Sequence, residues 1–158
     1  MSGCLFARNA LLPQGWRRDV LLEWDAAGDL TAVTDNAVAP AGAEVVEYVM
    51  PGMVNLHSHA FQRALGGMTE VAGDGPDSFW TWRELMYRFA RHITPEQMQS
   101  IAAQLFAECL RHGYTAVCEF HYLQRDTAGA LYARPAETAE RVLAAARLSG
   151  IGMTMLPV

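Results

Sequence analysis

Between residues 3 and 49 the apolar positions alternate with polar ones or gather in short runs: CLFARNALL, RRDVLLEWD, DLTAVT and AEVVEYV, separated by PQG, AAGD and APAGA. Such runs, punctuated by turn residues, predict short β-strands and a small β module with no helix start in it. From Val49 the texture changes. An apolar run ends in NLHSHA, a helical pattern follows, and strand-like and helical stretches then alternate. Three buried-type strands joined by helical crossovers predict βα units with parallel pairing and right-handed connections.

The first helix is expected to begin at Asp77 or Ser78, with Phe79, Trp82, Leu85, Met86 and Phe89 on its inward stripe. The second has a stronger entry signal: Thr94 can cap, Pro95 suits the first helical position, and Gln97 stands where a capping box needs it. It should run from Pro95 to His112 and bury Met98, Ile101, Ala102, Leu105, Cys109 and Leu110. Gly113 then supplies a left-handed cap before the strand YTAVCEF. A third helix, near 136–148, turns Ala139, Val142, Leu143 and Ala146 to one side, stops at Gly150 and leads into IGMTMLPV.

Composition narrows the function classes. The chain has 158 residues, 51% of them hydrophobic and 18% charged, which suits a folded globular chain. A net charge of -5 is a poor match for a phosphate-backbone binder, so nucleic acid is not an expected partner. Cys4, Cys109 and Cys118 are odd in number and form no CxxC pair, which points to a reducing cytoplasm rather than a disulfide framework or a thiolate zinc site. Neither a signal peptide nor a membrane span is expected.

Two of the five histidines, His57 and His59, close the apolar run with one serine between them. At strand spacing they project from one side about 6–7 Å apart along the chain, near enough to converge on one ion, while Ser58 points away. Functional groups in parallel α/β sheets and barrels gather at the C-terminal ends of strands, where this pair falls. A hydrogen-bonded pair of polar rim residues is the plainer alternative. The glycine-rich stretch GGMTEVAGDGPDS that follows sits where an active-site loop belongs. Catalytic zinc needs about three protein ligands, so the pair alone is not a complete site.

PGMVNLHSHAFQRAL resembles the first barrel strand of the amidohydrolase superfamily, and HSHAFQRALGGMTE, FWTWRELMY and EFHYL are similar to its formimidoylglutamate deiminase family. The resemblance implies a (β/α)8 barrel, of which this chain would hold the first three strands, preceded by half of a small β-sandwich domain. Residues 1–48 would belong to the sandwich and 49–158 to the barrel. It further implies one divalent metal, most often zinc, with His57 and His59 as its first two ligands. The remaining ligands and the acid/base residues would lie beyond Val158, so the segment alone is expected to be inactive. The implied reaction, a step of histidine degradation, hydrolyses N-formimidoyl-L-glutamate to N-formyl-L-glutamate and ammonia.

The same resemblance implies substrate contacts from Gln62, Arg83 and Tyr122, with His121 either touching substrate or supporting the rim. Each has a plain structural alternative: Gln62 as a loop residue, Arg83 solvated or paired with Glu84, Tyr122 as packing. Gln124 and Arg125 depart from the family's pattern, where further histidines are common. Cys118 and Glu119 must face opposite sides of their strand, one toward a barrel interior and one toward helices. His92 and His112, near helix C-termini, read as structural. The expected partner is a small dicarboxylate substrate, with no nucleic acid, no membrane and a homodimer for the full-length protein. A purine- or triazine-type deaminase and a non-catalytic α/β module are the competing readings.

Overall fold

The four N-terminal runs form strands β1 (Gly3–Leu12), β2 (Gly15–Trp24), β3 (Leu30–Thr34) and β4 (Glu44–Val49). They make one sheet in the order β3-β2-β1-β4, antiparallel except where β1 and β4 run together. Ala7, Ala10, Val20 and Leu22 form a small core, flanked by Leu5, Leu12, Val46 and Val49. The computed structural model describes residues 2–69 and 78–158. The chain divides into two units, Met1–Pro51 and Gly52–Val158.

The second unit contains strands β5 (Met53–Ser58), β6 (Tyr114–His121) and β7 (Gly152–Pro157) and helices α1 (Phe79–Ala90), α2 (Pro95–Arg111) and α3 (Glu137–Ser149). Its sheet has the order β5-β6-β7, and both pairings are parallel, as the alternating pattern requires. A short 3-10 helix, Ala60–Leu65, follows β5 directly.

The helix boundaries follow from local chemistry. Thr94 and Gln97 form a reciprocal capping box, Gln97 N–H to Thr94 Oγ1 at 3.3 Å and Thr94 N–H to Gln97 Oε1 at 2.9 Å, with Pro95 at the first turn. Ser78 and Thr81 do the same for α1. The alternative start at Asp77 lies outside the described residues, as do residues 70–77 of the glycine-rich stretch. Gly113 and Gly150 terminate α2 and α3 at φ 85° and 81°, a region that costs glycine little.

The helices cover one face of the sheet. Phe106, Met98, Val117, Val142, Ala145 and Ile151 are buried there. The opposite face is open: Val54 is 52% exposed, Leu56 74%, Phe120 41% and Leu156 44%. The strands carry apolar side chains on both faces, and among the described residues only the face under the helices is covered, as expected of three strands taken from a barrel. All three cysteines are free, and no helix among the described residues is long and apolar enough to cross a membrane.

Candidate functional site

The site begins with a register change. Asn55 pairs with Val117 and Ser58 with Glu119, so β5 carries one residue more than β6 over this span. Such a bulge re-aims side chains at a strand's end and is frequent beside functional sites. Ser58 is buried, while His57 and His59 leave the opposite side with their Nε2 atoms 3.0 Å apart. The convergence expected from the spacing is present, and tighter than strand geometry alone supplies.

Each histidine is oriented from behind. Nδ1 of His59 lies 2.9 Å from the carbonyl oxygen of Phe120, which can only accept, so Nδ1 carries a proton and Nε2 is the nitrogen a metal would take. A ring whose far nitrogen donates to a backbone carbonyl is the usual arrangement of a metal-bound imidazole. The backbone of His57 is held by Asn55, whose Oδ1 accepts the His57 N–H at 3.1 Å. Two nitrogens at about 2.0–2.1 Å from one ion would stand about 3 Å apart, so the pair fits a shared divalent cation. Among the described residues no third His, Cys, Asp or Glu joins them.

Gln62 and Tyr122 meet beside this pair. The amide of Gln62 donates to the Tyr122 hydroxyl at 3.1 Å, and the Met86 sulfur lies 3.4 Å from the same amide. The Tyr122 ring is edge-on to His59, centroids 5.2 Å apart, and to Phe61 at 5.4 Å. Burial raises the Tyr122 phenol's pKa, so it stays a neutral donor. Arg83 stands one ring further out. Its guanidinium lies 5.1 Å from the centre of the Tyr87 ring and 5.8 Å from Trp80, and Tyr87 is 6.4 Å from Tyr122. Among the described residues Arg83 makes no ion pair with Glu84, so stacking rather than pairing holds it.

His121 is turned the other way. It is 2% exposed, with Nε2 2.9 Å from Thr138 Oγ1 on α3 and 3.1 Å from the Leu123 carbonyl. Burial lowers its pKa and keeps the ring neutral. Of the roles the sequence leaves open for it, this geometry matches support of the rim. His112 caps α2, its Nδ1 2.8 Å from the Glu108 carbonyl.

One residue escaped sequence reasoning. Glu119 faces the helix layer and is 1% exposed, and its Oε1 accepts the Ala60 N–H at 2.6 Å. Burial raises its pKa, opposed by the Ser58 hydroxyl and the Ala60 amide. The available signal was strand alternation, which sets Glu119 beside Ser58 once the register is known.

Residues 48–156 match the amidohydrolase family model, and residues 3–46 match the model described as formimidoylglutamate deiminase HutF, N-terminal domain. The chain is 53% identical over 154 residues to the formimidoylglutamate deiminase of Pseudomonas aeruginosa, covering 98% of this chain and 34% of that protein. It is 37% identical over 79 residues to a 5-methylthioadenosine/S-adenosylhomocysteine deaminase of Nitratidesulfovibrio vulgaris, covering 50% of this chain and 17% of the other. A crystal structure of an amidohydrolase from Brucella melitensis superposes with a TM-score of 0.92 at 44% identity, over 98% of this chain and 34% of that one. Atrazine chlorohydrolase from Arthrobacter aurescens, solved with zinc, shares the fold at a TM-score of 0.73 and 16% identity, over 97% and 35% of the two chains. The chain thus spans about a third of the length of the deiminase and the Brucella protein.

Proposed function

The chain belongs to the amidohydrolase family, and on that footing we propose that the whole protein is a metal-dependent hydrolase that deiminates N-formimidoyl-L-glutamate to N-formyl-L-glutamate and ammonia. The observation that carries the reading is the pair of imidazole Nε2 atoms 3.0 Å apart at the end of the first barrel strand. The identity to a named formimidoylglutamate deiminase along nearly the whole chain supports the substrate.

His57 and His59 would hold the metal, and zinc is the ion that neutral imidazoles most often bind. When bound, the ion supplies Lewis acidity and an activated water at neutral pH. Everything else here falls to side chains that bind and orient. Gln62 offers an amide and Tyr122 a hydroxyl beside the pair. Arg83, planar and held by two rings, suits a bidentate grip on a carboxylate. A groove lined by Tyr87, Arg91, Tyr122 and Arg125 adds two more guanidinium groups, in keeping with a dicarboxylate. The protein would work in the cytoplasm, where three free cysteines stay reduced, as a homodimer.

The test is ammonia release by the full-length enzyme from formimidoylglutamate, compared with 5-methylthioadenosine and guanine. Turnover of formimidoylglutamate alone supports the reading. Turnover of a purine alone replaces it with that of a heterocycle deaminase, the reading favoured by the weaker likeness to the Nitratidesulfovibrio protein. Metal content that survives His57→Ala with His59→Ala removes the metal site.

A further inference from the structure

We propose that Glu119 is a positioning residue for the metal site, holding His59 in its ligating pose from the far side of the sheet. The inference rests on the metal-binding reading of His57 and His59. It adds a residue that touches neither the ion nor the substrate.

The geometry is two-sided. β6 grips the segment 58–60 at two neighbouring positions: on the open face the Phe120 carbonyl accepts a hydrogen bond from His59 Nδ1 at 2.9 Å, and on the helix face the Glu119 carboxyl accepts one from the Ala60 N–H at 2.6 Å. Ser58, the residue that pairs with Glu119 in the register, is buried against it. His59 is therefore clamped by its ring in front and by the following peptide behind. The clamp sits where it is needed, since β5 ends at Ser58 and the 3-10 helix begins at Ala60, leaving His59 outside both.

The residue type is also telling. A carboxyl group with 1% exposure is costly to bury, and Glu119 Oε2 has no hydrogen-bond partner among the described residues. An apolar side chain would pack there more cheaply. What the carboxyl adds is an acceptor reaching a main-chain amide that neither β5 nor the short helix satisfies. Outer contacts of this kind typically contribute about 10–100-fold in metal affinity.

The experiment measures zinc affinity of the full-length apo-protein by competition with a chromophoric chelator, alongside its thermal melt without metal. Glu119→Leu removes the acceptor and is expected to weaken zinc binding about 10–100-fold with the apo melt little changed. Glu119→Gln keeps an acceptor oxygen and should restore affinity to within about threefold. Glu119→Asp keeps the carboxyl but draws it back from the Ala60 amide, and should lose about tenfold even if the leucine variant does not fold. Wild-type affinity in Glu119→Asp, or a loss in Glu119→Gln equal to that in Glu119→Asp, overturns the proposal. The His57→Ala, His59→Ala pair separates the failures: if it loses zinc while the Glu119 variants keep it, only this inference falls, and if it keeps zinc the metal site itself falls.

Discussion

The Nδ1 atom of His59 and the carbonyl oxygen of Phe120 stand 2.9 Å apart across the β5–β6 pairing, and this contact fixes which nitrogen of the imidazole is free. Because the carbonyl belongs to the backbone of a central strand, no side-chain rearrangement can withdraw it. The free nitrogen then faces His57 on the open side of the sheet.

Removing either imidazole should abolish tight metal binding. His57→Ala and His59→Ala are each expected to purify with less than about a tenth of the wild-type metal, since two ligands of a site of about three or four are involved. Elemental analysis of the full-length variants checks this.

The Gln62–Tyr122 contact should appear in binding more than in turnover. Tyr122→Phe removes a hydroxyl that accepts from Gln62 at 3.1 Å, a neutral hydrogen bond of about 1 kcal/mol. We expect KM for formimidoylglutamate to rise about fivefold with kcat nearly unchanged, and Gln62→Leu on the Tyr122→Phe background to add little. Steady-state kinetics on the four proteins of the cycle decides.

Acid should loosen the attachment of the 3-10 helix. Arg63 donates to Glu108 on α2 at 2.6 and 2.8 Å, and that pair, with Gln104, lowers the Glu108 carboxyl from 4.5 to about 2. A carboxylate whose pKa is lower in the folded state stabilises above its unfolded value and loses that contribution as pH falls. The loss therefore runs from pH 4.5 toward 2, and it should be small because the bridge is solvent-accessible. Glu108→Gln is expected to flatten that limb in melts taken across the range.

The second unit has one main apolar core, and Phe106 of α2 lies in it. Phe106 is fully buried, and Phe106→Ala should destabilise the full-length protein by about 3–5 kcal/mol in denaturant titrations.

The open face of the second sheet predicts association. Val54, Leu56, Phe120 and Leu156 expose an apolar strip on a sheet whose outer strands, β5 and β7, have no further strand partner among the described residues. Residues 1–158 produced alone should elute as oligomers or aggregates, and Leu56→Lys should shift the distribution toward monomer. Light scattering after size exclusion measures both.

Much of this was legible in the sequence. Thr94, Pro95 and Gln97 gave the start of α2 and Gly113 its end because those signals are local and need no partner. The parallel sheet followed from alternating periodicities, and the meeting of His57 with His59 from the period of two. The direction of His121 was not legible, because it depends on Thr138, 17 positions later and on another element. Glu119 was hidden for the same reason: its partner Ala60 is 59 positions earlier, and only the strand register joins them. The open face of β5 follows from the resemblance, since three strands of a barrel leave uncovered the apolar side that the later strands would close.

The additional residue in β5 between Asn55 and Ser58 gives this stretch slack in its length. Deleting Leu56 would bring the count level with β6 and leave Ser58 still opposite Glu119, with both imidazoles on the open side. The strand can therefore give up that one position without driving a ring among the helices.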